Sequence, residues 1–220
     1  MPQTLSGPML APASGRSPKQ LVVLLHGYGS NGDDLIGLAP AWQPVLPDAL
    51  FLSPNAHEGV PGYAGGYQWF EPAMTGDRVA GRQVGTRLAA PVIEAFLTDL
   101  WAQTGLTAGD TILAGFSQGA MMALHVGLSL PEPLMGVIAF SGSFLPADNF
   151  GAAGLPKPPV CIVHGDMDQV VEPVHGEDAH AALVAGGYDV RYHVSHGVGH
   201  GIAPDGLAFA TDFIASVAKN

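Results

Sequence analysis

Four stretches of this 220-residue sequence bring together residue types that can do chemistry, and each also has a plain structural explanation. The first is Gly115-Phe116-Ser117-Gln118-Gly119, a G-x-S-x-G string with an apolar run before it and a helical pattern after it. A tight strand-to-helix turn of that kind holds a serine hydroxyl clear of the sheet, where a neighbouring base can activate it as a nucleophile. In a glycine-rich chain the string also arises by chance, and Ser117 would then be no more than a helix N-cap. The second is the aspartate pair Asp166 and Asp168, in Val163-His164-Gly165-Asp166-Met167-Asp168-Gln169-Val170-Val171. One should tie the loop through backbone N–H groups in an Asx-turn while the other points across to a histidine, and spacing alone does not say which. The third is His193, His196 and His200, three histidines within eight residues. A histidine in a glycine-flexible loop is placed to act as a general base. The competing metal site lacks an H-E-x-x-H or cysteine cluster, and the bland alternatives are a surface imidazole for His196 and a partly buried one for His193. The fourth is Gly27, Gly29 and Gly32, which spell a dinucleotide fingerprint. Against it, Asp33 and Asp34 stand where a helix N-terminus would receive a pyrophosphate, and Leu52-Ser53-Pro54-Asn55 carries no acid for a ribose. The other reading is a glycine-rich loop whose backbone N–H groups face a reaction site, with Asp33 or Asp34 capping the helix that follows.

These four stretches sit at the ends of apolar, β-rich runs. Strands are expected over Gln20–Leu25, Leu50–Ser53, Thr111–Phe116, Met135–Ser141 and Pro159–His164, with a sixth over Tyr188–Val194. Nearly continuous apolar runs mark strands buried on both faces. Helices are expected over Asp33–Trp42, Gln83–Thr104, Gln118–Leu130, Pro173–Ala185 and Gly206–Val217. Alternation of strand and helix implies an α/β fold with a mostly parallel sheet and helices on both faces, in a single domain over 1–220. Residues 54–82 interrupt the rhythm, because Pro54, Pro61 and Pro72 and a run of glycines forbid a long regular element. Tyr63, Tyr67, Trp69 and Phe70 make this excursion a functional loop over the sheet edge rather than a disordered one.

Composition removes several functions. Nineteen acidic against eight basic residues give a net charge of -11, and no Lys or Arg falls between Arg87 and Lys157, so there is no basic stripe for nucleic acid. The same charge weakly disfavours strongly anionic substrates such as acyl-CoA. Apolar runs fall short of the ~20 residues of a membrane span, no secretory signal is visible at the N-terminus, and the lone Cys161 suits a reducing cytoplasm.

Taken together, LHGYGSNGDDL, GFSQGAMMAL, HGDMDQVV and GVGH resemble the carboxylesterase, lysophospholipase and acyl-protein thioesterase family of small α/β-hydrolases, over essentially the whole chain from about Gln20. The order Ser117, Asp168, His200 is the one found in that fold. The resemblance implies Ser117 as nucleophile, selects Asp168 over Asp166 as the acid and His200 over His196 as the base, and likens Tyr67-Gln68-Trp69-Phe70 to a loop covering the acyl site. It implies an oxyanion hole from the N–H groups of Tyr28 and Gln118, and neither metal nor cofactor.

Only residues 142–158 separate two expected strands where larger relatives insert a cap, so the site should be open. Trp69, Phe70, Met74, Phe144, Leu145 and Val170 are expected to converge on Ser117 as a short apolar groove. The expected activity is hydrolysis of short- to medium-chain carboxylic esters of small molecules by a cytoplasmic monomer or homodimer. The alternatives are a lysophospholipase or thioesterase on longer chains, an amidase or protease on the same triad, a nicotinamide oxidoreductase and a non-catalytic binding module.

Overall fold

Alternate residues of the run Leu21–Leu25 enter different apolar clusters: Leu21, Val23 and Leu25 join one, Val22 and Leu24 the other. Period-two side chains that are apolar on both sides require a layer on each face, and the remaining elements supply those layers. A computed structural model describes residues 5–72 and 77–218. Met74, expected in the acyl groove, lies outside the described residues.

Within them the strands are β1 (Met9–Leu10), β2 (Gln20–Leu25), β3 (Ala49–Leu52), β4 (Glu58–Gly59), β5 (Tyr67–Gln68), β6 (Thr111–Phe116), β7 (Gly136–Phe140), β8 (Val160–Gly165) and β9 (Val190–Ser195). The helices are α1 (Gly32–Leu35), α2 (Ala39–Trp42), α3 (Arg78–Thr104), α4 (Gln118–Gly127), α5 (Val174–Ala185) and α6 (Pro204–Val217). The main sheet runs β1-β3-β2-β6-β7-β8-β9, parallel throughout except for the antiparallel edge strand β1. Leu97 of α3, Met122 of α4 and Leu183 of α5 belong to one cluster, Trp42 of α2 and Phe213 of α6 to the other. The α/β-hydrolase architecture expected from the sequence is therefore present, without a cap: residues 142–158 form only turns and irregular backbone.

Several details differ from expectation, beginning with the added edge strand β1. The helix expected over Asp33–Trp42 is split by a 3-10 turn at Ile36–Leu38, because Pro40 has no N–H to continue the α ladder. Helix α3 begins at Arg78, five residues before the expected start, with Asp77 Oδ1 accepting from Val79 and Ala80 N–H at 3.0 Å each. The long excursion accordingly gives up residues 78–82 to α3, and β4 and β5 form a two-stranded hairpin inside it. Helix α4 stops at Gly127, short of Leu130.

The chain leaves β2 for β3 on one side and later returns through α3 to β6 on the other side of β2. The loops after β2 and β6 therefore diverge and open a crevice at the carboxyl edge of the sheet. Residues after β8 and β9 approach the same edge.

Candidate active site

Ser117 sits between β6 and α4 with φ 54° and ψ −115°, a conformation that L-residues rarely adopt. Its N–H donates to Phe140 O of the neighbouring strand (2.9 Å) and its carbonyl accepts from Met121 N–H (3.1 Å), so the turn is held from both sides. The turn also needs a close crossing of helix over strand. A Cβ on Gly119 would lie 1.9 Å from Leu25 O, and only glycine fits.

His200, in the loop after β9, places Nε2 2.9 Å from Ser117 Oγ and Nδ1 2.7 Å from Asp168 Oδ2. A neutral ring protonated on Nδ1 satisfies both bonds: Nδ1–H donates to the carboxylate and Nε2 accepts the serine proton. The Phe116 ring, centroid 4.8 Å from that of His200, covers the imidazole. Asp168 follows β8 and its side chain is fully buried. Burial pushes its carboxyl up, but the hydrogen bonds from His200 and from the N–H groups of Val171 and Val170 outweigh this and hold it below the usual carboxylate range.

The division of labour expected between the two aspartates is not what the structure shows. Asp168 does both tasks, Oδ1 accepting from Val170 and Val171 N–H at 2.9 Å each while Oδ2 meets His200. Asp166 instead holds the exposed His196 ring (2.9 Å) and Gly197 N–H (2.7 Å), which ties the two loops together at the surface. His193 turns away to Asp205 at 2.8 Å, so the three histidines diverge to three different carboxylates. Beneath Asp168, the buried His164 donates from Nε2 to Val171 O at 2.8 Å and braces the same turn.

The amide of Gln118 opens α4 and so has no acceptor within the helix. Opposite it, in the loop after β2, Gly29 N–H donates to Tyr67 O (2.9 Å) and Ser30 N–H to Gly27 O (3.2 Å), while Tyr28 N–H has no acceptor among the described residues. His26 is the internal strut of this loop: Nδ1–H donates to Gly27 O (2.7 Å) and Nε2 accepts from Ala56 N–H (3.0 Å). Burial lowers the proton affinity of His26, which suits the neutral ring that these partners require. The Gln118 side chain clips the excursion down, accepting from Trp69 N–H and donating to Phe70 O at 2.8 Å each.

Of the residues expected to form the acyl groove, Phe70 and Val170 line the cleft that contains Ser117, a cavity of about 210 Å³. Three others do not, and the reason is packing. Trp69 is buried beneath the loop after β2 because its indole N–H finds its partner at His26 O, 2.9 Å away. Phe144 packs edge-on against Phe150, and Leu145 is core, its carbonyl accepting from His125 at 2.7 Å. The cleft is lined instead by Met121 and Val171, with Arg78 and Arg82 entering from the first turns of α3. Sequence reasoning missed both arginines because residues 78–82 read as loop. A larger cavity of about 340 Å³ lies between the N-terminal segment and α3, lined by Leu5, Met9 and Phe96, and contains none of the residues just described.

The family model described as phospholipase/carboxylesterase matches residues 11–218. The chain belongs to that family. Esterase YpfH of Escherichia coli is 30% identical over 196 residues, 89% of this chain and 82% of its own. Acyl-protein thioesterase 1 of Neurospora crassa is 30% identical over 227 residues, 94% of this chain and 90% of its own. Among solved structures, esterase PE8 is 51% identical with a TM-score of 0.92, over 98% of this chain and all of that one. As a member of the phospholipase/carboxylesterase family the protein is a serine hydrolase of the esterase and thioesterase group.

Proposed function

We propose that the protein is a serine carboxylesterase acting on short- to medium-chain esters through an acyl-enzyme. The observation that carries this reading is the unbroken hydrogen-bonded chain Ser117–His200–Asp168, with Ser117 on a strained turn beside two backbone N–H groups that lack acceptors among the described residues. Ser117 Oγ attacks the ester carbonyl as its proton passes to His200 Nε2, and the carbonyl oxygen becomes an alkoxide held by the Tyr28 and Gln118 N–H groups. Asp168 stabilises the imidazolium and keeps its proton on Nδ1. His200 then protonates the departing alcohol, and water repeats the sequence on the acyl-enzyme. Every proton is accounted for within these residues and the solvent.

The open, cap-free cleft of about 210 Å³ supports short acyl chains. Each methylene buried there adds ~0.8 kcal/mol until the cleft is full. In a series of p-nitrophenyl esters, kcat/KM should climb from acetate to butyrate or hexanoate and then fall, without a rate jump above the micellar concentration. A second reading, thioester hydrolysis on longer chains, draws on the relatives named acyl-protein thioesterase. A profile still rising at palmitate, with matched acyl thioesters preferred, would favour it. Ser117→Ala should lose turnover on the order of 10⁶-fold, as triad nucleophiles do, and lose covalent labelling by an organophosphonate. Labelling that survives in the variant refutes the nucleophile.

A further inference from the structure

Catalysis by Ser117, His200 and Asp168 needs no cation in the acyl cleft, yet two are present. Arg78 and Arg82, one helical turn apart on α3, both line the cleft that holds Ser117. In a chain with eight basic residues this concentration is conspicuous, because the others within the described residues are placed elsewhere. Arg16 and Lys19 pair with Asp48, Arg87 pairs with Asp148, Lys157 lies over Tyr188 and Arg191 over Phe213. Neither Arg78 nor Arg82 has a carboxylate within salt-bridge distance among the described residues. The closest acid in sequence, Asp77, turns Oδ1 to the N–H groups of Val79 and Ala80 and makes no ion pair with either arginine. Among the described residues the one hydrogen bond of the Arg82 side chain is long, 3.5 Å to the neutral Ser143 hydroxyl.

Like charges at i and i+4 repel, and the half-burial of Arg82, though not of the exposed Arg78, adds to the cost of leaving the pair uncompensated. Burial first, and then the neighbouring Arg78, pulls the proton affinity of Arg82 below its usual value, so its charge is held at a cost that a bound anion would offset. The position of the pair also indicates which part of an ester it meets. The departing alcohol must lie against His200, which protonates it, and neither His200 nor any other residue of its loop lines this cleft. The cleft therefore extends from Ser117 on the acyl side. Phe70, Met121 and Val171 supply apolar wall, and the guanidinium groups supply charge.

We infer that the acyl cleft is built for a chain that is apolar near the scissile carbonyl and ends in a carboxylate: the substrates are monoesters of short dicarboxylic acids, with Arg78 and Arg82 binding the distal carboxylate. This rests on the esterase reading above and narrows its substrate class. The overall charge of -11 argued against anionic substrates, but at physiological salt charges more than ~8 Å away are screened and the two nearby cations dominate.

The test compares monomethyl adipate with methyl hexanoate, which have acyl chains of equal length, and with carboxymethyl hexanoate, which carries its anion on the alcohol side. The wild-type protein should turn over monomethyl adipate with a kcat/KM at least equal to that of methyl hexanoate. In Arg78→Gln/Arg82→Gln the ratio of adipate to hexanoate should fall about tenfold or more, the scale of a charge-assisted hydrogen bond. Arg87→Gln, outside the cleft on the same helix, should leave the ratio unchanged. Should the double variant fold poorly, the wild-type protein still decides the matter: raising NaCl should depress adipate turnover and spare hexanoate. Equal ratios in all three proteins with no salt effect would overturn the inference, as would preference for carboxymethyl hexanoate. If none of the esters is hydrolysed, the esterase reading itself fails.

Discussion

At the proposed triad, neighbouring residues of the same type have been given different work by their surroundings. Asp168 is buried against His200 while Asp166 is exposed with His196, so the two pairs should answer mutation differently. Asp168→Asn should lower kcat by roughly 10⁴, as a triad aspartate does, because the amide cannot hold the Nδ1–H tautomer. Asp166→Asn should act only on the surface link to Gly197. His200→Gln should abolish turnover and His196→Gln should largely spare it; steady-state kinetics on one ester decides all four, and exchanged phenotypes would move the acid or the base. His26 gives a pH dependence. Its folded proton affinity is depressed, so its contribution to stability is complete above the unfolded pKa of ~6.5 and is lost as pH falls from there towards the folded value. The urea midpoint of the wild-type protein should therefore drop between pH 7 and pH 5. His26→Leu, which leaves the buried Ala56 N–H unpaired, should be less stable at pH 7 by about 1–3 kcal/mol and show a flatter slope. An unchanged slope in His26→Leu would remove His26 from this role.

Helix α3 shows how an element is hidden in sequence and revealed by packing. Gly81 and Gly85 in its first turns weaken a helical pattern, and the sequence predicts a helix only from Gln83. In the fold Gly85 is a notch: a Cβ there would lie 2.5 Å from the Phe70 ring. The ring that lines the cleft thus packs on the helix that carries Arg78 and Arg82. The cap at Asp77 begins that helix, and Asp77→Ala should cost ~1 kcal/mol and lower Tm by about 2–4 °C in a domain of this size. Its effect on kcat/KM for monomethyl adipate should exceed that for methyl hexanoate, since fraying the first turn loosens Arg78. Calorimetry and the same two esters check both statements. By contrast the β6–α4 junction was legible, because an apolar strand, a G-x-S-x-G turn and a helix wholly buried by its neighbours follow one another without interruption.

At the scale of the whole molecule, burial removes the chain's one thiol from reaction. Burial in the core pushes the Cys161 thiol up to about 12, so almost no thiolate exists near neutrality. The native protein should be inert to a thiol-specific disulfide reagent at pH 8, and the unfolded chain should react with one equivalent. Rapid labelling without denaturant would show that β8 opens readily. The two apolar clusters, one on each face of the sheet, fix the strands whose carboxyl ends carry Ser117, Asp168 and His200, and the divergence of the loops after β2 and β6 sets the Tyr28 loop opposite them.

The pattern of apolar runs and turn residues was enough to place the six parallel strands of the main sheet within a few residues, though not the short β1, β4 and β5, and to place the alternation with helices, the serine elbow and the loops holding the acids and histidines, because these depend on local periodicity and on residues with restricted backbone or hydrogen-bonding habits. Choosing among neighbours was another matter. Asp168 over Asp166 and His200 over His196 follow from family resemblance at the level of sequence, and from three-dimensional distance only when loops after three separate strands meet. The cleft lining was least legible: Trp69 and Leu145 both looked like groove, but the indole N–H of Trp69 drew it under His26 and Leu145 is core. Arg78 and Arg82 carried no signal as a pair until α3 laid them beside Ser117. A side chain's apolar or charged character is written in the chain, whereas the cavity it faces is decided by which partners satisfy its polar atoms after the elements have packed.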